Sequence, residues 1–400
     1  MTGHVTVVGI GADGWAGLAE PARAQVLAAG VLLGGERHLV LVPPVDGQVR
    51  RPWPRPLTGV GELVAGLDGR KVVALASGDP MVSGIGTTLA GLGVDVTVLP
   101  TISSVALARA RMRWSAESSE VLTLVGRDPD VLRRELTPGR RLLVLSADES
   151  TPATVAALLR NHGFGATRMT VLGDLGSDRE TRHDGHAEEA WAREDVPRLH
   201  VLALEVAGPP ANSWAAGLPD EAYEHDGQLT KRDVRASALA RLRPQPGALL
   251  WDVGAGAGSV GIEWLRSHRL CRAVAVEGRP ERAARIARNA GALGVPSLDV
   301  VHGRAPDALL DLPDPDAVFV GGGATTAVLD LCRDRLRPGG RLVAHGVTLE
   351  TERLLLDAHD EHGGELVRLS VEQAAPLGDR FRGWSPARAV TQWAWTKETR

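Results

Sequence analysis

Residues 230–263 read TKRDVRASALARLRPQPGALLWDVGAGAGSVGIE, and the order of elements in this stretch decides the fold of the half that carries it. Thr230, with Asp233 three residues on, forms a capping box in which Asp replaces the usual Glu. Val234, Ala238, Leu239 and Leu242 then share one face at helical spacing. Pro244, Pro246 and Gly247 end that helix, because neither proline has an N–H to give it. Residues 248–253 are apolar except for Asp252, as a parallel strand buried on both faces requires. Gly254, Gly256 and Gly258 follow without a gap, and a helix opens near Ser259. A glycine loop between strand and helix lets backbone approach a ligand at the helix N-terminus.

The loop alone leaves three readings open. Gly256, Gly258 and Gly261 satisfy G-x-G-x-x-G, with Glu277 about 20 residues on, as a dinucleotide site requires. The spacing Asp252-x-Gly254-x-Gly256-x-Gly258 resembles the first motif of class I S-adenosylmethionine methyltransferases. A ligand-free glycine turn is the third. Downstream, residues 273–276 form a strand closed by Glu277, and a helix over 280–293 has Pro280 in its first turn and Gly294 beyond its end. Strands follow over 298–302, 316–320 and 341–345. The loop 303–306 lies after the first of these, Gly321-Gly322-Gly323 after the second, and Pro338-Gly339-Gly340 turns into the third. This alternation is an α/β doubly wound, Rossmann-like sheet with its ligand outside the carboxyl ends of the strands.

The segment GLPDEAYEHDGQLTKRDVRASALARLRPQPGALLWDVGAGAGSVGIEW closely resembles the decarboxylating methyltransferase domain of cobalamin biosynthesis. VEGRPERAARIARNA, VVHGRAPDAL, DAVFVGGG and LRPGGRLVAHGVTLE continue the match in order, over about residues 210–395. The resemblance implies that Thr230, Gly254, Ala255, Gly256, Ala257, Gly258, Glu277 and Ala305 contact S-adenosylmethionine. Glu277 would accept from the ribose hydroxyls, and the 303–306 loop would meet the adenine edge. Arg304 departs from the small or acidic residue that this family would place there.

At 400 residues and 44% hydrophobic content the chain has material for two or three domains with real cores. A net charge of −4 argues against nucleic acid, which calls for a basic face. No apolar run reaches the ~18 residues needed to span a membrane, so a cytoplasmic protein is expected. Cys271 and Cys332 are the only cysteines, far apart and without metal spacing, and are expected to be reduced.

The N-terminal half opens on VTVVGIGADG, a strand running into a glycine turn. Further strands are expected over 31–33, 71–77 and 95–99, and a helix after 100–104 carries Arg109, Arg111 and Arg113. The pattern restarts after Trp114, with strands over 121–125, 141–145, 168–172 and 199–205 and a helix over 152–161. No D-x-G-x-G-x-G occurs here, so this half is not a second copy of the other. GIGADG, ASGDPMVSGIG, PTISSVALARARMRW and VLGDLGSDRET resemble, in order, the landmarks of the tetrapyrrole methylases. That family has a two-lobed α/β fold with S-adenosylmethionine between the lobes. The resemblance implies that Gly9, Gly78, Asp79, Val82, Ser103 and Ser104 contact a second S-adenosylmethionine. Gly-Ala-Asp-Gly stands where many relatives carry Pro-Gly-Asp. The expected domains are therefore 1–208, with lobes 1–114 and 115–208, and 209–400. The Pro- and Gly-rich stretch 207–228 joins them, its acidic part 220–226 being either a solvated segment or a lid.

A sulfonium methyl is electrophilic, so methyl transfer to an enamine-like ring carbon needs no metal and no covalent nucleophile; the site must align the reactants and exclude water. Candidates for gripping substrate carboxylates are Lys231, Arg232, Arg235 and His345, with Arg109, Arg111 and Arg113 in the other half and Thr348 beside His345. By resemblance, the N-terminal half methylates a precorrin at C5. The C-terminal half methylates C15 and removes the carboxyl of the ring-C (C12) acetate, taking precorrin-6Y to precorrin-8X. The expected partners are the precorrin tetrapyrrole and further copies of the chain in a homo-oligomer, with neither nucleic acid nor membrane. The alternatives are a class I methyltransferase for another small molecule or RNA, and a non-catalytic carrier of S-adenosylmethionine or tetrapyrrole. Gly321-Gly322-Gly323 after the fourth strand counts against a flipped base.

Overall fold

The computed structural model describes residues 4–54, 57–67, 69–189, 191, 195–210 and 213–399. Ala211 and Asn212, within the expected connecting stretch, lie outside the described residues. Contacts divide the chain into two compact units, Met1–Pro129 with Thr137–Pro210, and Asp130–Leu136 with Ala211–Arg400. The turn Asp130–Leu136 thus belongs with the C-terminal unit, although it lies within the expected N-terminal domain 1–208.

The first unit opens with β1 (Val5–Ile10), α1 (Glu20–Leu27), β2 (Val31–Gly34), α2 (Glu36–Val40) and β3 (Val49–Pro52). α3 (Val60–Ala65), β4 (Val72–Ser77), α4 (Ile85–Gly91), β5 (Val96–Leu99) and α5 (Ser104–Met112) follow. The five strands pair in the order β3-β2-β4-β1-β5, all parallel. Val5, Val7 and Ala74 feed one apolar cluster while Val8, Ile10 and Leu75 feed another, so both faces are covered. That is why β1 and β4 read as unbroken apolar runs.

A second sheet holds β6 (Glu120–Thr123), β7 (Arg141–Leu145), β8 (Arg168–Gly173), β9 (Thr181–His186) and β10 (His200–Glu205), with α6 (Thr151–Asn161) between β7 and β8. Its order is β6-β7-β10-β8-β9, mixed in direction. The edge strands β3 and β9 escape sequence reading because they bury little and carry charges, as edges that avoid mispairing do.

The second unit runs α7 (Arg232–Leu242), β11 (Leu249–Val253), α8 (Ser259–Ser267), β12 (Arg272–Glu277), α9 (Pro280–Ala292) and β13 (Asp299–His302). β14 (Ala317–Val320), α10 (Thr326–Arg335), β15 (Arg341–Gly346), α11 (Leu349–His362) and β16 (Glu365–Leu369) come next. The strands β17 (Glu372–Leu377), β18 (Phe381–Pro386) and β19 (Val390–Thr396) complete it. The seven-stranded sheet has the order β13-β12-β11-β14-β15-β19-β16, parallel except around β19. The chain walks outward from β11 to β13, then returns to the other side of β11 to lay down β14. That reversal opens a crevice at the carboxyl ends of β11 and β14. β17 and β18 form a two-stranded sheet of their own among the described residues. Among the described residues no helix is long and apolar enough to cross a membrane.

The predicted capping box at Thr230 does not form. α7 begins at Arg232, with Lys231 at its N-cap and no side-chain cap. Asp220 instead accepts from the Arg232 N–H at 3.0 Å, satisfying a helix donor from outside the helix. The acidic stretch is tied down further: Glu224 pairs with Arg288 at 2.7 Å and Asp226 with Arg282 at 2.9 Å, both arginines on α9.

Candidate active site

A cavity of about 1260 Å³ lies at the carboxyl ends of β11, β12, β14 and β15, lined by Gly254, Glu277, Gly321 and His345 among others. Its floor exists because two loops can touch. Gly254 has φ +66°, and a Cβ there would stand 2.3 Å from the Gly322 carbonyl oxygen. Only glycine allows that approach. Glu277, at the end of β12, is buried and already employed: its Oε2 accepts from Gly256 N at 2.9 Å and its Oε1 from Arg279 N at 3.0 Å. The carboxylate thereby shapes the glycine loop as well as facing the cavity. Thr230, Ala255, Gly256, Arg304 and Ala305 also line the cavity, and the Ala305–Pro306 peptide is cis.

Two residues of the predicted cofactor loop turn away. Gly258 caps α8 at φ +76°, and a Cβ there would meet the Ile286 side chain at 2.7 Å. Its glycine is required for packing of α8 against α9. Ala257 is buried, and its carbonyl accepts from Asn289 Nδ2 at 2.9 Å. Neither is among the residues that line the cavity. Asp252 is buried behind the loop, accepting from Gly261 N at 2.8 Å, and burial raises its pKa to about 7.

The N-terminal unit brings its predicted residues together without a comparable loop. Gly9, next to last in β1, lies against Gly78, where a Cβ would stand 1.9 Å from the Gly78 carbonyl oxygen. Gly78 has φ +53°, and its carbonyl accepts from Thr101 N at 3.3 Å. A Cβ on Gly78 would point at Ser103 Cα, 3.2 Å away. The 9, 78 and 101–104 backbones are thus in mutual contact. Asp79 Oδ1 accepts from Met81 N at 2.9 Å and its carbonyl from Val82 N at 3.0 Å, a self-contained turn. Ser103 caps α5 through Ala106 N at 3.1 Å, and Ser104 is the first residue of that helix.

The family described as tetrapyrrole (corrin/porphyrin) methylases matches residues 4–190, and the one described as precorrin methyltransferase domain matches 221–397. A Sinorhizobium protein named precorrin-6Y C(5,15)-methyltransferase [decarboxylating] is 44% identical over 98% of this chain and 96% of its own length. A Mycobacterium tuberculosis protein of the same name is 45% identical over 98% of this chain and all of its own length. The chain belongs to this precorrin-6Y C(5,15)-methyltransferase (decarboxylating) family. A Salmonella typhimurium protein named cobalt-precorrin-6B C(15)-methyltransferase (decarboxylating) is 35% identical over 38% of this chain and 80% of its own length.

In this member of the precorrin-6Y methyltransferase family, the predicted cationic grips separate into two kinds. Lys231 and Arg232 line the cavity, Lys231 also reaching Asp220 at 3.3 Å with half of its side chain exposed. Arg235 does not serve, because its side chain is 0% exposed. It pairs with Glu263 at 2.5 Å, donates to the Thr230 and Leu218 carbonyls, and stacks over Tyr223 at 4.8 Å. Glu263 in turn accepts from Tyr223 Oη at 2.9 Å and Leu218 N at 3.0 Å. This buried pair fastens residues 217–223 onto α7 and α8, and Arg235 is not among the residues that line the cavity. Thr348 is the N-cap of α11 in a capping box with Thr351, so its hydroxyl is also committed.

His345 does face the cavity, at the end of β15, edge-on to Phe319 at 4.8 Å. Burial first, and then the nearby Arg241 charge, lower its pKa to about 4, so it is neutral at working pH. In the other unit, Arg109 is held by Ser119 Oγ at 3.0 Å and Arg111 by Glu180 at 2.5 Å. Arg113 takes a left-handed conformation at the end of α5.

Sequence reading missed Arg279, Arg282 and Arg388, and the hairpin residues Gln373, Ala374 and Ser385, all of which line the cavity. Arg279 carried a signal, standing two residues after the acidic end of β12. The hairpin carried none, since neither of its strands contains a fully buried position.

Proposed function

We propose that this enzyme transfers methyl groups from S-adenosylmethionine to C5 and C15 of precorrin-6Y and removes the carboxyl of its ring-C acetate. The two family matches lying in register along one chain carry this reading, together with the open crevice at the β11–β14 reversal. S-adenosylmethionine supplies an electrophilic methyl group on a sulfonium. In the C-terminal unit Thr230, Gly254, Ala255, Gly256, Glu277 and Ala305 would hold it, the glycines admitting close backbone approach and Glu277 offering the carboxylate for the ribose. In the N-terminal unit the second site would be formed by Gly9, Gly78, Asp79, Val82, Ser103 and Ser104. No metal is needed for either transfer.

The residues of this chain position the reaction rather than perform bond chemistry. Lys231, Arg232, Arg279, Arg304 and Arg388 would hold the carboxylates that the substrate keeps, and their long side chains suit a flexible rim. Decarboxylation breaks the C–C bond to the acetate carboxyl, sends its electron pair into the conjugated macrocycle, releases CO2 and leaves a carbon that takes up a proton. We further propose that the units are separable domains, near the boundary 208/209, and that the enzyme is a cytoplasmic homo-oligomer; sedimentation velocity reads the assembly.

The deciding experiment supplies the full chain with S-adenosylmethionine and precorrin-6Y and weighs the product. A gain of two methyl groups with loss of CO2 supports the reading. Binding of both ligands without S-adenosylhomocysteine production would make the protein a carrier instead.

A further inference from the structure

β15 and β19 are antiparallel neighbours, and their register sets His345 directly opposite Gln392. Gln392 is 0% exposed. One nitrogen of the His345 ring, Nε2, lies 2.9 Å from the Gln392 amide. Behind that amide stand two groups from α7, Ser237 and Arg241. An amide has an acceptor end and a donor end, so its orientation matters here. With its oxygen toward His345, the amide nitrogen would face the guanidinium, donor against donor. Turned the other way, the oxygen accepts from Arg241 Nε at 3.1 Å, Arg241 Nη1 at 3.3 Å and Ser237 Oγ at 3.2 Å. Its nitrogen then donates to His345 Nε2 at 2.9 Å. Arg241 is always a donor, so it decides the matter.

A ring whose Nε2 accepts a hydrogen bond carries its single proton on Nδ1. Nε2 is spoken for by Gln392, so the Nδ1 edge is what the ring has left to offer the cavity that it lines. Arg241 is itself held by Glu365 at 2.5 Å, on β16. The series Glu365, Arg241, Gln392, His345 therefore runs from the surface to a ring that lines the cavity and leaves that ring's proton on Nδ1.

We propose that His345 presents Nδ1–H as a neutral hydrogen-bond donor to the acetate carboxylate that is lost, and that Gln392 and Arg241 are positioning residues that fix this tautomer. The inference rests on the decarboxylating function proposed above. Its chemical rationale is differential binding. The leaving carboxylate loses its charge as CO2 forms, so a cation paired with it would stabilise the reactant more than the transition state and slow the step. A neutral donor orients the group without that penalty. The cations of the cavity lining, Lys231, Arg232, Arg279, Arg304 and Arg388, are left to the carboxylates that remain charged throughout.

The test combines a spectrum with kinetics on the full chain. In protein labelled with 15N-histidine, nitrogen shifts and ring N–H couplings distinguish the two tautomers, and His345→Phe assigns the signal by removing it. Wild type should show Nδ1–H. Gln392→Glu is nearly isosteric but offers only acceptors, so it should move the proton to Nε2. The turnover of CO2 release should then fall roughly 10- to 100-fold, because the acetate is no longer held in line with the macrocycle, with KM for the tetrapyrrole and S-adenosylmethionine affinity within about threefold of wild type, since the remaining carboxylates carry most of the binding. If Gln392→Glu does not fold, Arg241→Met, at the edge of the unit, should give mixed tautomers and an intermediate loss. An Nε2–H or charged ring in wild type overturns the inference, as does full CO2 release from a variant whose tautomer has reversed. Wild-type protein that releases no CO2 and transfers no methyl group removes the proposed function and this inference with it. An active wild type with the wrong tautomer removes the inference alone.

Discussion

In the C-terminal unit one continuous loop after β11 meets a second loop after β14, and a single carboxylate, Glu277, ties the first of them to β12. In the N-terminal unit the corresponding ground is built from three separate chain segments, around Gly9, Gly78 and Ser103, each held by the others' backbone. Both solutions rest on glycines that admit backbone contact, yet they differ in how they fail. A concentrated loop concentrates its weaknesses, whereas a distributed one shares packing with the sheet beneath it. The largest expected effects therefore come from a matched pair of glycine replacements. Gly254→Val must displace the Gly322 carbonyl from 2.3 Å and strain a positive φ, so C15 methylation and CO2 release should vanish while C5 methylation continues. Gly78→Val should do the reverse, and both variants should lower stability, Gly254→Val the more, since the 3.2 Å from the Gly78 Cβ to the Ser103 backbone leaves more room than 2.3 Å. Product mass spectra beside thermal melts read both. Loss of both methylations from either variant would mean that the two units share one site.

Glu277→Ala sharpens the contrast at lower cost to the fold. It removes acceptors for Gly256 N and Arg279 N, and with them the proposed ribose contact. A hydrogen bond to a charged group is worth about 1.5–3 kcal/mol, so S-adenosylmethionine should bind the C-terminal unit roughly 10- to 100-fold more weakly. Calorimetric titration should show one of two binding events weakened. If both weaken together, the assignment of separate cofactor sites fails.

How much of this was legible follows from where each signal lies. The β11–loop–α8 passage could be read because a doubly buried strand must be apolar and the loop must be glycine, two demands that fall on adjacent residues. Asp252 and Gly258 belong to that motif for reasons of packing, so the motif marks the place without naming which residues face the cavity. Arg235 looked like a surface cation because helical periodicity put it beside Val234, yet Glu263, 28 positions away in sequence, draws it into the core. No local pattern records a partner at that distance. The β17–β18 hairpin was illegible for the opposite reason: Phe381 and Trp384 are 70% and 72% exposed, so no alternation of buried and solvated positions appears. The partnership of His345 with Gln392 depends on an antiparallel register that only the folded sheet supplies.

Asp252 offers a stability test within the concentrated loop. Its pKa is raised from 3.8 to about 7, by burial first, with the Glu277 charge adding to it. A raised carboxyl pKa means that the folded state holds the proton more tightly than the unfolded one. Stability from this group is therefore full below the unfolded pKa and declines as pH rises toward about 7. Asp252→Asn cannot ionise and escapes that decline. Between pH ~5 and ~8 the variant should gain on the order of 2 kcal/mol relative to wild type. Denaturant melts at both pH values, following the transition that belongs to the C-terminal unit, would show it. A constant gap would mean that Asp252 stays ionised in the fold.

The smallest effect is expected from Arg111→Ala, on the distributed side of the comparison. Arg111 was a candidate grip for a substrate carboxylate, but both of its nitrogen contacts go to Glu180, at 2.5 Å and 2.9 Å. That pair holds α5 to the segment between β8 and β9. With 45% of the Arg111 side chain exposed, water competes well for both charges. Such surface pairs contribute little, so the melting temperature should move by no more than ~3 °C. Salt should shrink even that shift, because exposed charges are screened within about 10 Å at 0.1 M. If Arg111 only braces the two lobes, the KM for the tetrapyrrole in C5 methylation stays within about twofold of wild type. A KM that rises tenfold with an unchanged melt would instead return Arg111 to the substrate, since a fold that holds without the Glu180 pair leaves the lost binding to a direct contact.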